Sequence, residues 1–195
     1  MIMTDSSRIV KREVIAKGQW LELNKTHWKK LNGDIHHWEG VSRVGKTGCV
    51  MMIPRLKHSG DFILVEQFRP PLGSETLEFP AGLIDEGENH HEAAIRELKE
   101  ETGYTGIIQS TIPPRSLSPG LSSECIAIVL VEIDETSPEN LNPTPQLEST
   151  EEGLKVHRLS LEKLLGLLES KNFEGAEIEA KLSSFILGYC LALRD

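Results

Sequence analysis

The sequence predicts an α/β (α+β) fold: a sandwich of strands with a few inserted helices. Three observations predict it. Short apolar runs of strand length recur from residue 8 to residue 159. One strongly acidic helical pattern interrupts them near the middle of the chain. Two further helical patterns close the sequence. Strands interleaved with a few helices bury their apolar faces by layering sheet against helix.

From Arg8 to about Gly45 the chain reads as strands, with a hairpin signal at Asn32-Gly33. "GCVMMIPRL" and "DFILVEQF" are apolar strands joined by the polar turn "KHSG". "ETLEFPAGLI" is a short strand that Pro80-Ala81-Gly82 breaks. The spacing predicts a helix over 89–102. Asn89 caps it, Glu92 completes a capping box, and Gly103 stops it. "IIQSTIPPRSLSPGLSSE" reads as a strand followed by a Pro- and Ser-rich loop, and "CIAIVLVEI" is the clearest buried strand. "DETSPENLNPTPQLESTEEG" is a polar connection of a length that is functional or disordered in a compact domain. "LKVHRLSL" is a strand; "SLEKLLGLLES" and "AEIEAKLSSFILGYCLALR" are helices. In the last, Ile178, Leu182, Phe185, Ile186, Tyr189 and Leu193 fall at helical spacing and mark a core face.

A length of 195 residues suits one domain with an appendage. The expected division is an N-terminal β extension over 1–45 and the main domain over 46–195. The hydrophobic share of 38% and charged share of 26% are those of an ordinary globular protein. The net charge of −9 argues against a general nucleic-acid binder. No apolar run reaches membrane-spanning length, and "MIMTDSSRIVKREV" lacks the apolar core of a signal peptide. The expectation is a cytoplasmic protein without a membrane partner. Cys49, Cys125 and Cys190 are scattered and odd in number, so they read as small buried hydrophobes.

The acidic segment carries the chemistry. Between Gly82 and Tyr104, seven acids face only Arg96 and Lys99. Residues three and four apart share a helix face, so Glu97, Glu100 and Glu101 can converge on one spot while Ala94 and Leu98 pack on the sheet. Arg96 can pair with one of these carboxylates and hold it. Hard cations such as Mg²⁺ take oxygen ligands and leave room for substrate phosphates. The plain alternative is a solvated acidic face with ordinary helix ion pairs.

The order of residues is Gly82, five residues, Glu88, seven residues, then Arg96-Glu97-Leu98-Lys99-Glu100-Glu101-Thr102-Gly103-Tyr104. It resembles the Nudix box of the Nudix hydrolases at every fixed position, with Tyr104 as an aromatic in the last slot. The resemblance implies an αβα sandwich with a mixed sheet. It also implies hydrolysis of a nucleoside diphosphate linked to another group, with Mg²⁺ or Mn²⁺. The flanks "VEQFRPPLGSETLEFPAGLIDEGE" and "SPGLSSE" look like the ADP-ribose and ADP-sugar pyrophosphatase branch, and that likeness extends to about Leu159. In this branch the enzymes are homodimers whose N-terminal strands cross the interface.

By that resemblance, Trp20 and Trp38 stack adenine, one from each subunit, with Trp28 a bystander. Aromatic side chains hold a flat base well. The plain alternative for each Trp is a packing residue on a strand. Arg69 and Arg43 would grip phosphates, since a guanidinium does so in bidentate fashion; the plain reading of Arg43 is a surface arginine. Leu83 counts among the substrate-binding positions. Glu78 would bind metal or orient the site, and Ala81 would offer its backbone carbonyl to the metal. Glu97, Glu101 and Glu100 are the metal ligands, with Glu100 and Arg96 also assigned to catalysis. A glutamate from a late loop would activate water. Glu148, Glu151 and Glu152 are available; register favours Glu152, and the sequence does not separate it from Glu151. His36-His37 and His90-His91 have no metal-motif spacing. Other readings are a different nucleoside diphosphate sugar, a dinucleoside polyphosphate, or a non-catalytic nucleotide sensor.

Overall fold

The computed structural model describes residues 8–45 and 48–193. The expected start of the main domain, residue 46, lies outside the described residues. Strands β1 (Ile9–Lys17), β2 (Leu21–Lys29) and β3 (Ile35–Arg43) form an antiparallel meander. Gly33 closes the β2–β3 hairpin at φ 96°, a conformation costly for a residue with a Cβ. No residue of the three strands is fully buried. The meander docks through β3: the Val41 N–H donates to the Leu121 carbonyl at 2.8 Å.

The main sheet has eight strands: β4 (Cys49–Leu56), β5 (Phe62–Arg69), β6 (Ser74–Glu78), β7 (Ala81–Leu83), β8 (Ile107–Ser116), β9 (Cys125–Ile133), β10 (Lys155–Leu159) and β11 (Glu177–Ile178). Their order is β11-β6-β5-β4-β9-β8, with β10 added to β5 and β7 to β4. The β4–β9 and β6–β11 pairs are parallel and the rest antiparallel, so the sheet is mixed.

Strand alternation builds the two cores. Phe62 and Leu64 of β5 pack with Leu164 of α2 (Leu161–Gly166) and with Leu182 and Ile186 of α3 (Ala180–Ala192). Ile63 lies in the opposite layer with Ala93, Ala94 and Leu98 of α1 (His90–Thr102). The result is the expected αβα sandwich. Leu98 is fully buried, so truncation to Ala would cost about 2–5 kcal/mol. Among the described residues, no helix is long and apolar enough to cross a membrane.

Several local expectations shift. β8 runs on through Pro113-Pro114 to Ser116, because it is an edge strand and its register slips between Ile112 and Arg115. Ala81–Leu83 forms its own short strand on β4 despite Pro80. The last helix starts at Ala180, since the parallel pairing with β6 keeps the chain extended: the Glu179 N–H still donates to the Leu77 carbonyl at 3.1 Å. Ile178 therefore lies on β11, and Leu193 is exposed. Of the cysteines only Cys49 is buried; Cys125 and Cys190 are partly exposed. Burial pushes the Cys49 thiol up to about 11.

Candidate active site

The site is built around α1, and the ends of α1 fix its geometry. Asn89 accepts from the His91 and Glu92 N–H groups, and Glu92 returns a bond to the Asn89 N–H at 2.9 Å. Gly103 ends the helix in the left-handed region at φ 75°. Between these caps, Glu97 and Glu101 stand one turn apart and share a stripe. They are buried, at 8% and 2% exposure.

β7 lies against that stripe. A Cβ on Gly82 would sit 1.9 Å from Glu97 Cδ, so only glycine leaves room for the carboxylate. The Ala81 N–H donates to Glu101 Oε2 at 3.1 Å. Arg96 ties the surroundings together. Its Nε and Nη2 donate to Glu88 at 3.0 and 2.9 Å, its Nη1 reaches Glu100 at 2.9 Å and Glu97 at 2.8 Å, and Nη2 also donates to the Leu83 carbonyl at 3.0 Å. The hydrogen bonds it donates, to Glu88 first and then to Glu97 and Glu100, push its pKa still higher despite burial. Arg96 thus acts as an organiser of carboxylates.

The late loop returns to the same place. A Cβ on Gly103 would lie 2.3 Å from the Thr144 nitrogen, so the bare helix end lets the loop cross. The Gln146 N–H then donates to the Glu100 carbonyl at 2.7 Å. A short 3₁₀ turn, Ser149–Glu151, follows, and the Glu148 N–H donates to the Glu151 carboxylate at 2.9 Å. This path brings Glu151 to the box: carboxylate oxygens of Glu97, Glu101 and Glu151 all lie within 4.8 Å of one another. Burial raises Glu97 to about 7 against the help of Arg96. Burial, with Glu151 and Glu97 nearby, holds Glu101 well above the usual carboxylate range. Crowded, buried carboxylates that resist ionising suit a hard divalent cation, which would supply the missing charge. The oxygen-only donor set fits such an ion.

These acids occupy one end of a cavity of about 660 Å³. Arg69 and Arg43 line it too, each already held by a carboxylate. Arg69 Nε and Nη2 donate to Glu78 at 2.7 and 2.6 Å, and Arg43 Nε bonds Glu124. Leu83 lines the cavity and lends its carbonyl to Arg96.

Two expectations on the carboxylates shift. Glu100 does not join Glu97 and Glu101; it lies on the flank of the helix, drawn by its i,i+4 pair with Arg96. Glu152, which register favours, is exposed beyond the 3₁₀ turn, and Glu151 takes the position in the acidic corner.

Trp20 and Trp38 are 70% and 57% exposed. Trp20 adjoins Leu21, which pairs with Arg43, so five strand residues separate its neighbourhood from Trp38. That is roughly 17 Å along the ribbon. The two rings of one chain therefore do not face one another across a base. Trp38 Nε1 donates to the Gly120 carbonyl at 3.0 Å, while Trp28 packs under Arg8 and against His36. His37 packs on His27, and His91 bonds Thr111.

Sequence reading missed Gln67, Thr76, Glu124, Glu179 and Lys181, which also line the cavity. Alternation could have found two of them, because Gln67 shares a strand face with Arg69, and Thr76 with Glu78. Nothing local in the sequence marks Glu179 or Lys181.

The comparisons agree with this geometry. The NUDIX domain family model matches residues 46–182. The ADP-sugar pyrophosphatase of Mus musculus is 37% identical over 193 residues, covering 95% of this chain and 87% of that protein. The ADP-ribose pyrophosphatase of Saccharomyces cerevisiae is 34% identical over 182 residues, covering 89% and 78%. A solved ADP compounds hydrolase superposes with a TM-score of 0.70 at 25% identity, covering 95% of this chain and 94% of that one. The chain belongs to the Nudix family.

Proposed function

We propose that this protein is a Mg²⁺-dependent hydrolase of the diphosphate bond in ADP-ribose or a related ADP-sugar, releasing AMP and a sugar phosphate. The observation that carries the reading is the meeting of Glu97 and Glu101 with Glu151 in one cavity with Arg43 and Arg69. The names of the mouse and yeast relatives favour an adenine nucleotide with a distal sugar.

Glu97 and Glu101 would hold the divalent ion, with Glu78 and the Ala81 carbonyl as further oxygen donors. A bound Mg²⁺, or Mn²⁺ in its place, neutralises diphosphate charge and polarises a phosphoryl oxygen. Arg69 and Arg43 bind and orient the phosphates, exchanging their carboxylate partners for phosphate oxygens of the same fork geometry. Arg96 keeps the box carboxylates in place through Glu88, Glu97 and Glu100. Glu151 takes a proton from the attacking water. Water adds to one phosphorus, the P–O bond of the bridge breaks, and the other phosphate leaves with the bridging oxygen. Positioning and charge neutralisation supply most of the acceleration.

The first 45 residues form the dimerisation extension in this reading, and the protein works as a cytoplasmic homodimer. The meander's lack of buried residues supports this, as do exposed Val10, Val14, Ile35 and Trp38. So does the spacing of Trp20 and Trp38, since a sandwich around one adenine then needs a ring from each copy.

The test is incubation with Mg²⁺ and ADP-ribose, ADP-glucose, UDP-glucose, GDP-mannose or diadenosine polyphosphates, with products separated by chromatography. AMP from ADP-ribose, lost in Glu101→Gln, is the expected result. Cleavage confined to non-adenine substrates overturns the adenine assignment. Binding without cleavage of any substrate overturns the enzyme.

A further inference from the structure

Among the described residues, two buried side-chain oxygens lack a hydrogen-bond partner: Thr76 Oγ1 and Glu179 Oε2. Both residues line the cavity that holds the acidic corner. Sheet pairing places them on neighbouring segments. β11 pairs in parallel with β6, setting Glu177 beside Thr76 and Ile178 beside Leu77. The Glu179 N–H continues that pairing onto the Leu77 carbonyl. On the other side of β6, Gln67 of β5 lies opposite Thr76 and also lines the cavity. The short β11 strand and the first turn of α3 thus deliver a carboxylate to a wall already carrying a hydroxyl and an amide.

Native proteins rarely leave buried oxygens unpaired, and an unpaired one in a cavity wall points to a ligand. Lys181 sharpens this. Its ammonium pairs with Glu179 Oε1, so one carboxylate oxygen is committed and the other is not. The terminal carboxylate bond turns through a broad, shallow well. Oε2 can therefore be offered to the cavity without backbone movement.

We propose that Thr76, Gln67, Glu179 and Lys181 form a subsite for the vicinal hydroxyls of the distal sugar, the group beyond the diphosphate. This rests on the reading of the site as a nucleoside diphosphate sugar hydrolase. A carboxylate accepts from hydroxyls, a threonine hydroxyl and a glutamine amide both donate and accept, and an ammonium donates. Together they match a polyol. A distal group without hydroxyls leaves Thr76 Oγ1 and Glu179 Oε2 unpaired, which is how a polar wall rejects an apolar analogue. Gln67 and Arg69 alternate onto one face of β5, so the polyol wall adjoins the phosphate grip.

The experiment measures kcat/KM for ADP-ribose and for the methyl ester of ADP, which keeps the diphosphate and lacks the sugar. It compares wild type with Thr76→Val, Thr76→Ser and Glu179→Gln. The readout is the ratio of the two values. Thr76→Val is expected to lower the ratio about tenfold and Glu179→Gln about 10- to 100-fold, while Thr76→Ser restores it. A ratio that neither Thr76→Val nor Glu179→Gln moves overturns the subsite. So does an equal fall on both substrates, which marks a packing role. Wild type that cuts neither substrate overturns the enzyme reading and the subsite together.

Discussion

Replacing Gly82 with Ala tests the site at its tightest contact. The new Cβ would stand 1.9 Å from Glu97 Cδ and 2.0 and 2.3 Å from its two oxygens. Ordinary contact begins near 3.4 Å, so the carboxylate must retreat by about 1.5 Å. What retreats is the end of a flexible side chain, and Gly82 does not have positive φ. The fold should therefore tolerate Ala, with a gain of about 0.4–1 kcal/mol from the stiffer unfolded chain partly offsetting the crowding. A change of that size moves the melting temperature by only about 2–4 °C. Chemistry is less tolerant: a 1 Å misplacement costs about 100-fold, so kcat/KM for ADP-ribose should fall by at least that factor. Melting curves with and without MgCl₂, alongside steady-state kinetics, separate the two effects. The stabilisation that Mg²⁺ gives wild type should vanish in Gly82→Ala. Wild-type kcat/KM in the variant would show that Glu97 does not work from this position, and collapse of its metal-free fold would refute the tolerance argued here.

Four further outcomes follow. Glu151→Gln should lower kcat about 10²- to 10⁴-fold with little change in KM, and Glu152→Gln should leave kcat alone; the reverse ranking returns the general base to Glu152. Glu97 titrates near 7, and a carboxylate must lose its proton to bind metal, so Mg²⁺ should release protons at pH 7 and bind more tightly as pH rises. Calorimetry in buffers of different ionisation enthalpy reads this directly, and buffer-independent heats would refute it. The same raised value stabilises the metal-free fold at low pH, an effect lost as pH climbs from the unfolded carboxylate range through about 7. Trp38→Ala should raise KM for ADP-ribose about tenfold or more by removing one stacking face, with kcat nearly unchanged; an unchanged KM assigns Trp38 to packing alone.

The parts legible in the sequence were those set by local rules. Asn89, Glu92 and Gly103 specify helix ends through hydrogen bonds within a few residues, and the observed caps use those atoms. Helical period brought Glu97 and Glu101 together but grouped Glu100 with them, because it does not encode the ion pair that holds Glu100 to Arg96. Arg69 and Glu78 were singled out through the family resemblance, and their bidentate pairing was not legible, because it depends on the register of β5 against β6. The position of Glu151 rather than Glu152 beside Glu97 and Glu101 was not legible for a related reason. It is decided by a 3₁₀ turn and a single backbone bond from Gln146 to the Glu100 carbonyl, neither of which spacing encodes. Glu179 reaches the cavity only through the two-residue β11, too short to leave a periodic signal.

Charge gives the site its division of labour. In a chain of net charge −9, an anionic substrate needs local positive charge, yet each cation of the cavity already holds a carboxylate: Arg69 holds Glu78, Arg43 holds Glu124, Arg96 holds Glu88 and Glu100, and Lys181 holds Glu179. Of the two that grip phosphate in this reading, Arg69 presents a pre-ordered fork and Arg43 a single donor, and a phosphate oxygen can enter each by exchange. Among the described residues no ion pair joins Glu101 or Glu151 to a cation, and Glu97 shares Arg96 with its neighbours. The negative charge left over therefore gathers at one corner. Substrate binding that drew on the paired cations alone would release carboxylates and deepen that excess; a divalent ion at the corner would reduce it. Metal and diphosphate should each strengthen the binding of the other, because each removes charge that the other leaves uncompensated. Calorimetric titration of Mg²⁺ with and without the non-hydrolysable methylene analogue of ADP-ribose in the cavity measures this coupling, and equal affinities in the two titrations would mean that the two halves of the site act independently.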